Sequence, residues 1–139
     1  MNTAENLALI FSHGQYNAMR RHVAANFSEE RCGLVAGKQH IAELVLPIEN
    51  QCHSPHVFQM NPQEQVIAFD QIEKANLELL AIYHSHPTGP THPSQIDLDE
   101  FRYPGIATII WFLQENKHWQ MKVFSIAENQ FTEIPWHIL

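Results

Sequence analysis

Leu79-Leu80-Ala81-Ile82-Tyr83-His84-Ser85-His86-Pro87 reads as an apolar strand that ends in two histidines and is stopped by a proline. Its length is that of an ordinary strand. Side chains two apart on a strand share a face. His84 and His86 therefore project together, in line with Leu80 and Ile82, while Tyr83 and Ser85 face the other way. On a helix, residues two apart diverge and share no ligand. The strand is apolar on both faces until it reaches His84, which places it in the middle of a sheet covered on both sides. A site at the carboxyl end of such a strand lies where the sheet meets its loops, a usual place for chemistry.

Beyond Pro87 a loop rich in Pro and Gly runs to Pro93. Ser94-Gln95-Ile96-Asp97 then has the spacing of a capping box, so Asp97 rides on the first turn of a short helix. Two imidazoles and a carboxylate are the ligand set of a catalytic zinc site that keeps one position for water. The plain alternative is that the histidines hydrogen-bond nearby backbone and Asp97 only caps its helix. A bare His-x-His is a weak signal, and Asp99, Glu100 and His92 stand as rival third ligands. His92, in a loop flanked by prolines, suits the rim. The other histidines (His13, His22, His40, His53, His56, His118, His137) lack ligand-like neighbours and read as surface or structural.

Working outward, residues from about Ser12 to Phe27 carry Tyr16, Met19, Val23 and Phe27 at helical spacing. Cys32–Gly37 and His40–Leu46 read as strands that pair around Gly37-Lys38-Gln39, the second stopped by Pro47. Ile48–Asn61 is loop-like, and Asn61-Pro62 opens a helix to about Asn76. After the short helix at Ser94, broken by Pro104-Gly105, three apolar segments finish the chain: Ile106–Leu113, Trp119–Ile126 and Phe131–Ile138. Met121 and Val123 there oppose Lys122, Phe124 and Ile126. The sum is an α/β chain, a mixed sheet with helices packed on it, and with no interdomain linker it is expected to form one domain over residues 1–139.

Composition narrows the function. An apolar content of 45% with 17% charged residues fits a globular chain. Fifteen acidic against eight basic residues, a net charge of -7, argue against nucleic-acid or anionic-membrane binding, which needs a cationic face. Nothing approaches the ~20 apolar residues of a membrane span, and no signal-peptide pattern is visible. The two cysteines, Cys32 and Cys52, have no paired spacing. The expected location is cytoplasmic.

His84-Ser85-His86-Pro87 followed by Pro93-Ser94-Gln95-Ile96-Asp97 resembles the signature of the JAMM metalloproteases, or MPN-domain proteases, of prokaryotic type. Ten residues separate His86 from Asp97, and a serine stands three before the acid. The family's upstream glutamate, placed just before an apolar strand, is matched by Glu30 in Glu30-Arg31-Cys32-Gly33-Leu34. Asn50, Phe58 and Asn61-Pro62 also resemble family positions. The likeness spans nearly the whole chain and implies the MPN fold, a curved central sheet flanked by helices and similar to that of cytidine deaminases. It implies Zn²⁺ on His84, His86 and Asp97, Glu30 as the base that orients a water and passes its proton to the leaving amine, and Ser94 as an oxyanion donor or a plain N-cap.

The implied activity is hydrolysis of a peptide or isopeptide bond after the carboxyl-terminal glycine of a ubiquitin-like or sulfur-carrier protein. The tail would bind as an added strand. Two readings compete: an MPN scaffold that only binds partners, against which the intact ligand set speaks, and a metal-dependent hydrolase or deaminase of a small amide. The deaminase pattern His-x-Glu with Pro-Cys-x-x-Cys is absent. Oligomeric state is not legible.

Overall fold

The computed structural model describes residues 8–139. Eleven elements follow in order: β1 (Leu9–Phe11), α1 (His13–Ala24), β2 (Cys32–Lys38), β3 (Ile41–Ile48), α2 (Pro62–Lys74), β4 (Glu78–His86), α3 (Gln95–Glu100), β5 (Ala107–Leu113), β6 (Trp119–Ala127), β7 (Gln130–Ile134) and β8 (Trp136–Ile138). The strands form one mixed eight-stranded sheet in the order β7-β6-β5-β4-β2-β3-β1-β8. β4 is central, antiparallel to β2 and parallel to β5. The sheet curves until its two edges nearly meet, because only Pro135 separates β7 on one edge from β8 on the other.

Each face has its own cover. Met19 and Val23 of α1, with Tyr16, pack on Val35, Ala81, Tyr83, Ile109 and Trp111. Ala68 and Ile72 of α2 pack on Cys32, Leu34 and Ile82 of the opposite face. Both helices start where their side chains bond the freed backbone: Ser12 Oγ accepts from Gln15 N at 3.1 Å, and Asn61 Oδ1 accepts from Glu64 N at 3.0 Å.

Several expectations are corrected. α1 ends at Ala24, and Phe27 lies beyond it, 70% exposed. Pro47 sits inside β3 instead of ending it: β1 reaches β3 only at Ile41, so the missing N–H at Pro47 faces an open edge. The segment Phe131–Ile138 is two strands, split by Pro135 and placed on opposite edges. Leu80 does not share the face of His84. The register of β2 against β4 shifts between Val35 and Ala36, a bulge that turns Leu79 towards α2 and Leu80 towards α1. Ile82, His84 and His86 keep the alternation, and the histidines lie on the α2 face of the sheet.

Candidate metal centre

Register brings the upstream glutamate to the histidines. In the antiparallel β2–β4 pair Cys32 stands opposite His84, so position 30 falls opposite His86 on the same face, where facing Cβ atoms are about 4.5–5.5 Å apart. The pairing persists past the end of β2: Ser85 N donates to Arg31 O at 2.9 Å, and Arg31 N donates to Ser85 Oγ at 2.8 Å. On the other face of the same pair Gly33 leaves room for the Tyr83 ring, which a Cβ there would overlap.

The acid comes from α3. Ser94 Oγ accepts from Asp97 N at 3.1 Å, and Asp97 Oδ2 accepts from Ser94 N at 2.9 Å, the reciprocal capping box. The same Oδ2 lies 3.1 Å from His84 Nε2 and 3.0 Å from His86 Nε2, and the two nitrogens are 3.1 Å apart. Edges of a tetrahedron with bonds of ~2.0–2.1 Å measure about 3.3–3.4 Å. The three atoms thus have the outline of one face of a tetrahedron, a few tenths of an ångström contracted. The residues fit a divalent ion. Glu30 Oε2 stands back at 3.9 Å from His86 Nε2, while its Oε1 is buried with no partner among the described residues. The Glu30 carboxylate is also within 4.8 Å of the two imidazole nitrogens, but Asp97 is the nearer acid and Glu30 sits at water-bridging range.

Electrostatics follow the enclosure. Burial pushes the Glu30 carboxyl up to about 8, against a lesser downward pull from His86. Burial also works to raise Asp97, but the charge of His84 and hydrogen bonds from both imidazoles and Ser94 N outweigh it and hold Asp97 well below the usual range. Burial lowers His84, which is fully enclosed. On His86 burial pulls the same way, yet the bonds to Asp97 and Pro90 leave it raised. Burial pushes the Cys32 thiol up to about 12, and its Sγ donates to Ile48 O at 3.4 Å.

Two of the rival ligands are engaged elsewhere. Asp99 Oδ1 accepts from Gln95 and Asn129, tying α3 to the turn between β6 and β7. Glu100 lines a neighbouring cleft, and the ring of His92 stacks on Phe131 at 5.2 Å. That cleft, about 390 Å³, opens beside His84 and Asp97 over an apolar lining that includes Phe58, Met60, Ile82, Phe101 and Tyr103. Sequence reasoning gave Asn50 no role, although it is 1% exposed and its amide bonds the Glu30 carbonyl at 2.9 Å. Asparagine in a loop ordinarily signals only a turn.

Residues 12–125 match the model of the prokaryotic homologues of the JAB domain, Prok-JAB. The chain belongs to the Prok-JAB family. This Prok-JAB chain is 34% identical over 114 residues to the desampylase of Pyrococcus furiosus, covering 81% of this chain and 78% of the relative. It is 37% identical over 98 residues to a probable TtuB-protein conjugate cleaving protease of Thermus thermophilus, covering 70% and 66%. To the CysO-cysteine peptidase of Mycobacterium tuberculosis it is 25% identical over 125 residues, covering 88% and 86%. Among solved structures, protein DSY2949 of Desulfitobacterium hafniense superposes with a TM-score of 0.83 at 28% identity, over 94% of this chain and 92% of that one. A JAB1/MPN domain protein of Archaeoglobus fulgidus superposes with a TM-score of 0.61 at 16% identity, covering 95% and 97%, which shows the MPN fold.

Proposed function

We propose that this Prok-JAB chain is a zinc metallopeptidase that cuts the bond after the carboxyl-terminal glycine of a ubiquitin-like or sulfur-carrier protein, in its conjugates or adducts. The observation that carries this is the triangle of His84 Nε2, His86 Nε2 and Asp97 Oδ2, with Glu30 just outside it. Relatives named as a desampylase, a TtuB-conjugate protease and a CysO-cysteine peptidase support the substrate class.

Two nitrogens and one carboxylate oxygen suit zinc with a position left open. Bound there, the ion supplies Lewis acidity, which lowers the pKa of a water to about 7 and polarises a carbonyl. Glu30 takes the proton of the attacking water and hands it to the leaving amine. Buried and held as the acid up to about pH 8, its carboxyl is drawn towards the basic form by a nearby divalent charge. Ser94 Oγ uses a lone pair to cap Asp97 N, which leaves its O–H to donate to the oxyanion, a contact worth about 3–4 kcal/mol at such sites. The tail lies extended along the 390 Å³ cleft, where a glycine next to the bond lets the backbone come close to the ligand face. No helix of the described residues is long and apolar enough to cross a membrane, and the two cysteines are free; a cytoplasmic site of action accords with both.

Incubation of the zinc-loaded protein with ubiquitin-like carriers bearing carboxyl-terminal extensions, read by intact mass, tests the assignment. Release of the extension after the terminal glycine is expected. Cleavage only of small free amides, with the carriers untouched, would favour a small-molecule hydrolase.

A further inference from the structure

The two histidines are held differently. His86 Nδ1 donates to Pro90 O at 2.7 Å, the outer hydrogen bond that metal-binding imidazoles almost always make. His84 Nδ1 is buried and has no partner among the described residues. Its ring is held by an aromatic contact instead: Phe58 lies against it with centroids 4.5 Å apart and planes at 33°.

Phe58 packs on the apolar cluster under α2, Gln51 N donates to Gln59 O at 2.9 Å, and one side chain ties down the residues on both sides of it. Asn50 Nδ2 donates to Val57 O at 3.1 Å and Asn50 Oδ1 accepts from Gln59 N at 3.0 Å, the residues on either side of Phe58. The second Nδ2 hydrogen goes to Glu30 O at 2.9 Å, and Oδ1 also accepts from Cys52 N at 3.0 Å. Every donor and acceptor position of the carboxamide is in use. The loop it organises returns the support, because Glu30 N donates to Ser54 O at 2.7 Å.

We propose that Asn50 is a positioning residue that sets Glu30 and His84 relative to each other. It holds the Glu30 backbone directly and the His84 ring through Phe58. The proposal rests on the reading of Glu30 as base and His84 as ligand. Losing an outer partner of this kind typically lowers activity or metal affinity about 10–100-fold. A scaffold role alone would lower the melting temperature and leave kcat of the folded fraction unchanged.

The test uses Asn50→Asp, which keeps size and both acceptors but sets an oxygen against the carbonyls of Glu30 and Val57. With the full chain loaded with zinc, kcat should fall ~10-fold or more, with KM held within about twofold. A second measurement needs no turnover. In metal-free protein with labelled histidine, the His84 ring C–H resonances carry the ring-current shift of Phe58. They should move in Asn50→Asp and in Phe58→Leu, while those of His86 stay. Phe58→Leu should also weaken zinc binding, and it decides the matter if Asn50→Asp does not fold. Wild-type kcat in folded Asn50→Asp, or unmoved His84 resonances with wild-type zinc affinity in Phe58→Leu, overturns the proposal. Glu30→Gln with full turnover would instead remove the assignment of the base on which it rests.

Discussion

Replacing Glu30, the proposed base, should make the metal-free protein more stable at alkaline pH, and by an amount that depends on pH. Native Glu30 keeps its proton up to about pH 8, whereas an unfolded chain gives it up near 4.5. Between those values the native state binds the extra proton, so this group's contribution to stability declines as pH rises and levels off above pH 8. At ~1.4 kcal/mol per unit, the window is worth about 3–5 kcal/mol. Glu30→Gln removes the titration and keeps the shape. Its amide adds a buried donor that costs about 1–3 kcal/mol at every pH if unbonded, so the diagnostic quantity is the slope of the difference. Urea unfolding of chelator-treated wild type and Glu30→Gln at pH 5, 6.5 and 8 reads it. The variant should gain on wild type by about 3 kcal/mol or more from pH 5 to 8. A difference that is flat with pH would show that the native carboxyl is not held in its acid form, and with that the account of its burial fails.

Ser94→Ala should lower kcat by about 10²–10³-fold if its O–H meets the oxyanion; the lost cap alone costs about 1 kcal/mol of stability, and a shifted melting temperature with unchanged kcat would leave only the cap. Zinc affinity should climb about tenfold per pH unit below the pKa of His86, because the ion must displace the proton that Asp97 and Pro90 help His86 to hold; titration by competition with a chelator, flat from pH 5.5 to 6.5, would contradict this. Gly33→Ala forces a Cβ against the buried Tyr83 ring at 2.3 Å, and thermal melts should show a loss of about 1–3 kcal/mol; a wild-type melt would mean that β2 and β4 are free to separate.

The sequence carried the parts of this site that local rules encode. His84 and His86 share a face because strands repeat every two residues, and Asp97 is presented by a capping box spanning three. Glu30 was legible only through family likeness. Its place follows from the register of Cys32 on His84, a pairing over about fifty residues of chain that no local pattern states. The errors have the same origin. Leu80 changed faces at a bulge, Pro47 was tolerated because β1 stops short of it, and Pro135 sent β8 to the far edge of the sheet. Asn50 resembled a family position but carried no role, because its partners, at Glu30, Cys52, Val57 and Gln59, become neighbours only on folding.

Metal content set against turnover, for wild type, Asp97→Ala and Glu30→Gln after dialysis at neutral pH, bears most directly on the site. Wild type and Glu30→Gln should each retain one equivalent of zinc, about one per chain as a single site requires, with Glu30→Gln slower by 10²-fold or more. Asp97→Ala should lose the ion. Full zinc in Asp97→Ala, or full turnover in Glu30→Gln, would contradict the assignment of ligand and base.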